Sequence, residues 1–209
     1  GISGFAKDWS FERAQLIFDG KKGPLYQDLM NAVAEVRRVS NPEFCGFFWK
    51  QGGADGTKKA LAAAYYSSFE TLVANLRADL DAPDLPVFIP SYLTDGELLG
   101  MAISAVGEEV AAKATEAASN ALKSDVERLE ALLSYLERTG GLKALNKRAY
   151  IIQVIMAQNR AGREMPNVTT LYPGELPRIG GGNNHYNSEG YVILGQKTAD
   201  AVEDFYKDK

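Results

Sequence analysis

Between Pro24 and Arg38 the apolar positions Leu25, Leu29, Ala32, Val33 and Val36 close on one face of a helix, and Pro24 suits its first turn. From Lys58 to Leu80 the positions Tyr65, Phe69, Leu72, Val73, Leu76 and Leu80 keep the same period, predicting one long amphipathic helix that Pro83 and Pro86 stop. Phe44 to Trp49, Pro86 to Pro90 and Asn167 to Tyr172 are runs too short for helices and read as strands, the first two buried on both faces. Between about 97 and 146 the chain turns rich in Ala, Glu, Lys and Leu. There Leu122, Val126, Leu129, Leu133 and Leu136 alternate steps of four and three, and Thr139-Gly140-Gly141 ends the seam. This predicts an inserted helical hairpin, packed on its own Leu142 and Leu145 region or on a second copy, as a structural arm, a lid or a dimerisation element. Residues 147–160 continue as helix with Ile152, Ile155 and Met156 inward. A last helix, from about Ser188 to Tyr206, is expected to bury Val192, Leu194, Ala199, Val202 and Phe205.

Helices alternating with short buried strands make a parallel sheet covered on both faces, here as one α/β domain spanning residues 1–209. Three strands fall short of the about five such a sheet normally holds. The expectation is therefore that strands escape the pattern or that part of the domain precedes Gly1. The formal net charge of -4 provides no basic footprint for nucleic acid, and no run of 18 apolar residues spans a membrane. Cys45, the single cysteine, excludes an intrachain disulfide and sits in a predicted buried strand, so it reads as core. No signal peptide is visible, but a chain opening on Gly1 leaves the compartment open.

The candidate chemistry gathers in two polar loops. His185, the only histidine, stands in Gly180-Gly181-Gly182-Asn183-Asn184-His185-Tyr186-Asn187-Ser188, running into the last helix. Imidazole titrates near the operating pH of a general base; a surface or capping histidine is the alternative. The second loop, Trp49-Lys50-Gln51-Gly52-Gly53-Ala54-Asp55-Gly56, follows the first strand, where α/β proteins build sites. Asp55 reads as the cap of the following helix, and Ser188 as the N-cap of the last one. One histidine and one cysteine leave few soft metal ligands, so neither a metal site nor a cofactor is expected.

These loops and other segments resemble the carbohydrate-esterase branch of the SGNH (GDSL-like) hydrolases, which includes sialate O-acetylesterases and acetylxylan esterases. The matching pieces are Ala6-Lys7-Asp8-Trp9, Gly23-Pro24-Leu25-Tyr26, Phe48-Trp49-Lys50-Gln51-Gly52-Gly53-Ala54-Asp55 and Tyr65. They continue through Leu76-Arg77-Ala78-Asp79-Leu80, Pro83-Asp84-Leu85-Pro86-Val87, Ala157-Gln158-Asn159, His185-Tyr186-Asn187-Ser188-Glu189-Gly190 and Leu194-Gly195. The resemblance implies a flavodoxin-like three-layer sandwich with a parallel sheet, carrying a helical insertion, and an extracytoplasmic setting, secreted or periplasmic. It also implies hydrolysis of an acetyl ester on a carbohydrate. His185 would be the general base, Gln51 an oxyanion donor, and Gly52 and Gly1, the latter in the block Gly1-Ile2-Ser3-Gly4, would line the substrate.

The sequence departs from that pattern in three places. No Gly-Gln-Ser-Asn turn occurs, so the nucleophile is expected on a missing N-terminal segment or companion peptide; Ser3 and Ser188 are the internal candidates considered. Gly182 replaces the Asp three before the histidine, and Gly53 replaces a Glu after the Gln-Gly pair. The rival reading is a non-catalytic carbohydrate-binding or assembly protein on the same scaffold.

Overall fold

The computed structural model of the chain describes residues 22–118, 122, 124–145, 148–181 and 185–207; Gly1, Ser3 and Gly182 lie outside them. In chain order the helices are α1 (Pro24–Val39), α2 (Lys59–Ala63), α3 (Tyr65–Asp79), α4 (Asp95–Val106), α5 (Glu108–Ala117), α6 (Asp125–Thr139), α7 (Arg148–Glu164) and α8 (Ser188–Lys207). The strands β1 (Phe47–Phe48), β2 (Val87–Pro90) and β3 (Val168–Leu171) form one parallel sheet in that order, with Val87 opposite both Phe47 and Val168. All three predicted strands are present.

β2 is central and buried at every position, which is why its sequence lacks polar alternation. Val87 and Ile89 face a core shared with Tyr26 of α1, Phe69 and Leu72 of α3 and Val154 of α7. Phe88 points the opposite way, as strand geometry requires, and meets Phe205 of α8 edge-on at 5.9 Å. Helices therefore cover both faces of the sheet in an α/β arrangement. β1 corrects one expectation: among the described residues it is an outer strand of two residues, Phe48 is 44% exposed, and Cys45 ahead of it is exposed instead of core. An apolar run does not distinguish a central strand from an edge strand, which covers its side chains only in part.

The helices are shifted in detail. In α1 the buried residue is Tyr26, whose hydroxyl donates to Asp79 Oδ2 at 2.6 Å, while Leu25 and Val36 are exposed. The long helix predicted from Lys58 to Leu80 is broken at Ala64, so α2 packs on α7 while α3 keeps its predicted face buried. In α8, Leu194 is buried and Val202 and Phe205 are half-buried, but Val192 and Ala199 are exposed. At about 100° per residue, Val192 and Ala199 lie roughly 140–160° around the helix from Leu194.

The inserted segment is three helices and a 3₁₀ turn (Gly141–Leu145), not a hairpin. Thr94 with Glu97 and Ser124 with Glu127 form capping boxes that start α4 and α6, and Gly140 in the left-handed region stops α6. Leu98, Leu129, Leu132, Leu136 and Leu145 build a second core with Ala149, Ile152 and Ile155 of α7. The predicted stripe thus packs on its own Leu145, with Leu133 also buried and Leu142 alongside. Leu122 and Val126 are only half-buried.

Candidate active site

β1 runs directly into the Gln51 loop, and the core fixes that loop's backbone. Trp49 Nε1 donates to Tyr65 Oη at 3.1 Å, and Tyr65 Oη donates to the Gln51 carbonyl at 3.0 Å. Gln158 Nε2, on α7, donates to Tyr65 Oη at 3.0 Å and also to the Gln51 carbonyl. Burial raises the Tyr65 pKa, which keeps its hydroxyl a donor. Gly52 adopts φ +149°, and a Cβ there would stand 2.8 Å from Val154 Cγ1 and 3.0 Å from Gln158 Nε2. Only glycine fits so close a turn against α7. At Gly53, where the family pattern has Glu, a Cβ would meet nothing within 4 Å.

The Gln51 side chain points to Asp55, with Nε2 donating to Asp55 Oδ2 at 2.5 Å, while Gln51 Oε1 is buried and accepts nothing. Asp55 is 1% exposed and makes no capping bond. The cap expected of it is absent because Asp55 is the first residue of a 3₁₀ turn (Asp55–Thr57) whose side chain faces inward to Gln51. Polar spacing alone does not reveal which way such a residue turns.

The His185 loop is held differently. Ile179 N donates to the His185 carbonyl at 2.9 Å, Arg178 bridges Tyr186 in antiparallel fashion, and Asn187 N donates to the Pro177 carbonyl at 3.1 Å. Asn187 Oδ1 accepts from Gly190 N at 2.9 Å, so Asn187 caps α8 in the place expected of Ser188. Tyr186 is buried with Leu176 and Leu194, and the neighbouring His185 is exposed.

Lys50 joins the two loops. Its Nζ lies 3.4 Å from the Tyr92 ring centre, just beyond β2, and 5.3 Å from that of Tyr186. The Gln51 and His185 loops therefore meet at the carboxyl ends of the strands, the crevice where open α/β sheets place ligands. No hydrogen bond connects the Gln51 side chain to His185, because Gln51 is turned to Asp55. Burial, then the positive Arg178, lowers the Lys50 pKa to about 8. Its amine donates to the Pro90 carbonyl at 3.3 Å, and neither it nor Arg178 has a carboxylate partner among the described residues. Lys50 over its two aromatic rings and Arg178 close enough to act on its charge, neither with a described carboxylate partner, form a patch suited to an anion, in a chain of net charge -4. Neither Lys50 nor Arg178 stood out in the sequence, since nothing in their spacing brings them together.

Below the loop, Ser91 Oγ donates to Asn159 Oδ1 at 2.8 Å, and Asn159 Nδ2 donates to Asp95 Oδ1 at 3.0 Å, tying the Tyr92 turn to α4 and α7. A groove of about 630 Å³ lined by Arg37, Phe44, Pro83 and Tyr206 opens at the amino ends of the strands, away from both loops. Volume and loop chemistry point to different places. The loops carry the argument because they gather polar groups at the ligand end of the sheet.

A family model described as carbohydrate esterase, sialic acid-specific acetylesterase, matches residues 6–130, more than half of the chain. The match covers β1, the Gln51 loop and β2 but ends before β3 and His185. An X-ray structure of a protein from Arabidopsis thaliana is similar, with a TM-score of 0.53 and 22% identity, over 86% of this chain and 52% of that one. The chain thus spans about half the length of that protein, and at that identity the likeness shows the fold alone. No curated protein matches the chain.

Proposed function

We propose a function from one premise, that the chain belongs to the carbohydrate esterase family described as sialic acid-specific acetylesterase. The protein is a serine-type esterase that removes O-acetyl groups from a sugar. Its nucleophilic serine comes from a segment outside these 209 residues or from a companion peptide, since no Gly-Gln-Ser-Asn turn occurs in them. The observation that supports this reading best is the Lys50 contact with Tyr92 and Tyr186, which gathers the Gln51 and His185 loops at one end of the sheet.

In this mechanism the serine oxygen attacks the acetyl carbonyl and its proton passes to His185. Gln51 Nε2 donates to the oxyanion of the tetrahedral intermediate. Collapse breaks the ester bond, and the imidazolium returns its proton to the departing sugar oxygen. Water then attacks the acetyl-serine as His185 takes its proton; the acyl–serine bond breaks, the imidazolium returns that proton to the serine oxygen, and acetate leaves. Gly52 keeps the donor loop close to α7, and Gly1 belongs to a further substrate-lining block. Lys50 and Arg178, cations without carboxylate partners among the described residues, favour an acidic sugar, in keeping with the family's description.

The test is acetate release by the full-length protein from acetylated sugars and from a chromogenic acetate ester. Activity is expected there, and none from residues 1–209 alone. Gln51→Ala should lower kcat by about a hundredfold or more through the lost donor. A full-length protein that binds glycans yet releases no acetate from any ester would replace this reading with that of a carbohydrate-binding protein.

A further inference from the structure

The Gln51 side chain presents a choice that the rest of the loop does not make for it. An amide turns about its last torsion between two near-equivalent placements, which exchange Oε1 and Nε2. Only the Nε2 placement stabilises a developing oxyanion; the other sets a carbonyl oxygen against it. The bonds from Tyr65 and Gln158 end on the Gln51 backbone carbonyl, so they fix where the residue sits and not which way its amide faces.

Asp55 supplies the missing information. Its carboxylate is 1% exposed, accepts from Gln51 Nε2 at 2.5 Å, and has no hydrogen to offer Oε1. Charge-assisted bonds are roughly twice as strong as neutral ones, and this one holds Nε2 towards Asp55 although it leaves Oε1 buried without a donor. Nε2 carries two hydrogens. Among the described residues, Asp55 is the one acceptor that Nε2 meets, which leaves the second without a described partner.

We infer that Asp55 is a positioning residue that acts through Gln51, fixing the amide so that its second Nε2 hydrogen remains available to the oxyanion. The inference rests on the esterase reading above and assigns Asp55 no contact with substrate. Asp55→Asn is the discriminating change: an asparagine both accepts and donates, so it fits either placement of the Gln51 amide.

The experiment is a double-mutant cycle in the full-length protein with a chromogenic acetate ester, using D55N, Q51A and the pair. D55N should lower kcat by about tenfold with KM nearly unchanged, less than the roughly 10²–10³ for loss of an oxyanion donor. The double variant should be no slower than Q51A. Losses that multiply would show that Asp55 acts independently of Gln51 and would overturn the assignment while leaving the esterase standing. The wild type provides a second readout that needs no variant, and it decides the matter should D55N not fold. One Gln51 Nε2 proton should resonate downfield of the other glutamine side-chain amides, and its absence there would also overturn the proposal. A wild type without any hydrolysis sinks the esterase reading, and with it the catalytic purpose of the pair, whatever the amide signal shows.

Discussion

The Gln51 loop and the His185 loop reach the same end of the sheet by opposite means. The first is braced from inside: Trp49, Tyr65, Gln158 and Asp55 all form side-chain hydrogen bonds in or onto it. The second is tied by backbone bonds at Ile179 and Asn187, and His185 is exposed. On the esterase reading the contrast is physical. An oxyanion donor works only when preorganised to within tenths of an ångström, whereas a base that exchanges protons with water gains from contact with solvent. Changes in the first loop should therefore damage fold and rate together, and changes at the exposed His185 rate far more than fold.

The strongest challenge to that contrast is Gly52→Ala. Its Cβ would meet Val154 Cγ1 at 2.8 Å in a backbone conformation that disfavours side chains, so the unfolding free energy should fall by about 3 kcal/mol. Urea denaturation measures this, and a loss under about 1 kcal/mol would mean the loop is not braced. His185→Ala should cost at least about a hundredfold in kcat, close to 2.7 kcal/mol of transition-state stabilisation, with little change in melting temperature. A melting temperature that drops with the rate would place His185 in the fold rather than the chemistry.

Tyr65→Phe should destabilise by about 2 kcal/mol, because the Gln51 carbonyl loses one donor and Trp49 Nε1 loses this acceptor in the core. The rate should fall by a smaller factor, since Gln158 still holds the carbonyl. The mildest effect concerns Lys50, where the loops meet. Its folded pKa of about 8 lies below the ordinary 10.5, so between those values the unfolded chain binds more protons and stability rises with pH. Lys50→Met should then be more stable than wild type at pH 7 by a margin that narrows from about pH 8 towards pH 10. Urea midpoints across that range give the answer; a constant margin would show that the amine is not desolvated.

What could be read from the sequence was what periodicity encodes. β2 and β3, and the Tyr65-to-Leu80 face, are set by contiguous apolar spacing, and each stands where that spacing places it. Exposure of Cys45 and Phe48 was hidden because burial of an edge strand depends on neighbours far along the chain. The same holds at the candidate site. Trp49 to Gly56 was visible as a loop, but the Gln158 bond to Gln51 spans 107 residues, and the orientation of Asp55 is decided by that packing. A capping preference is a local propensity shared by neighbours: at α8 the adjacent Asn187 takes the position expected of Ser188, and Asp55 bonds to Gln51 instead of capping.

Helix α7 sends Val154 and Ala161 into the sheet's core and Ala149, Ile152 and Ile155 into that of the inserted segment, with Tyr150 and Ile151 packed against both. A wall common to two rooms cannot be taken down for one of them alone. Opening either core strips one side of α7 and exposes the other, so the two should melt as a single cooperative unit instead of two independent domains. Amide hydrogens midway along α7 are then expected to exchange only by global opening, at the slow limit for the whole molecule, while those near the ends of α5 exchange through local fraying.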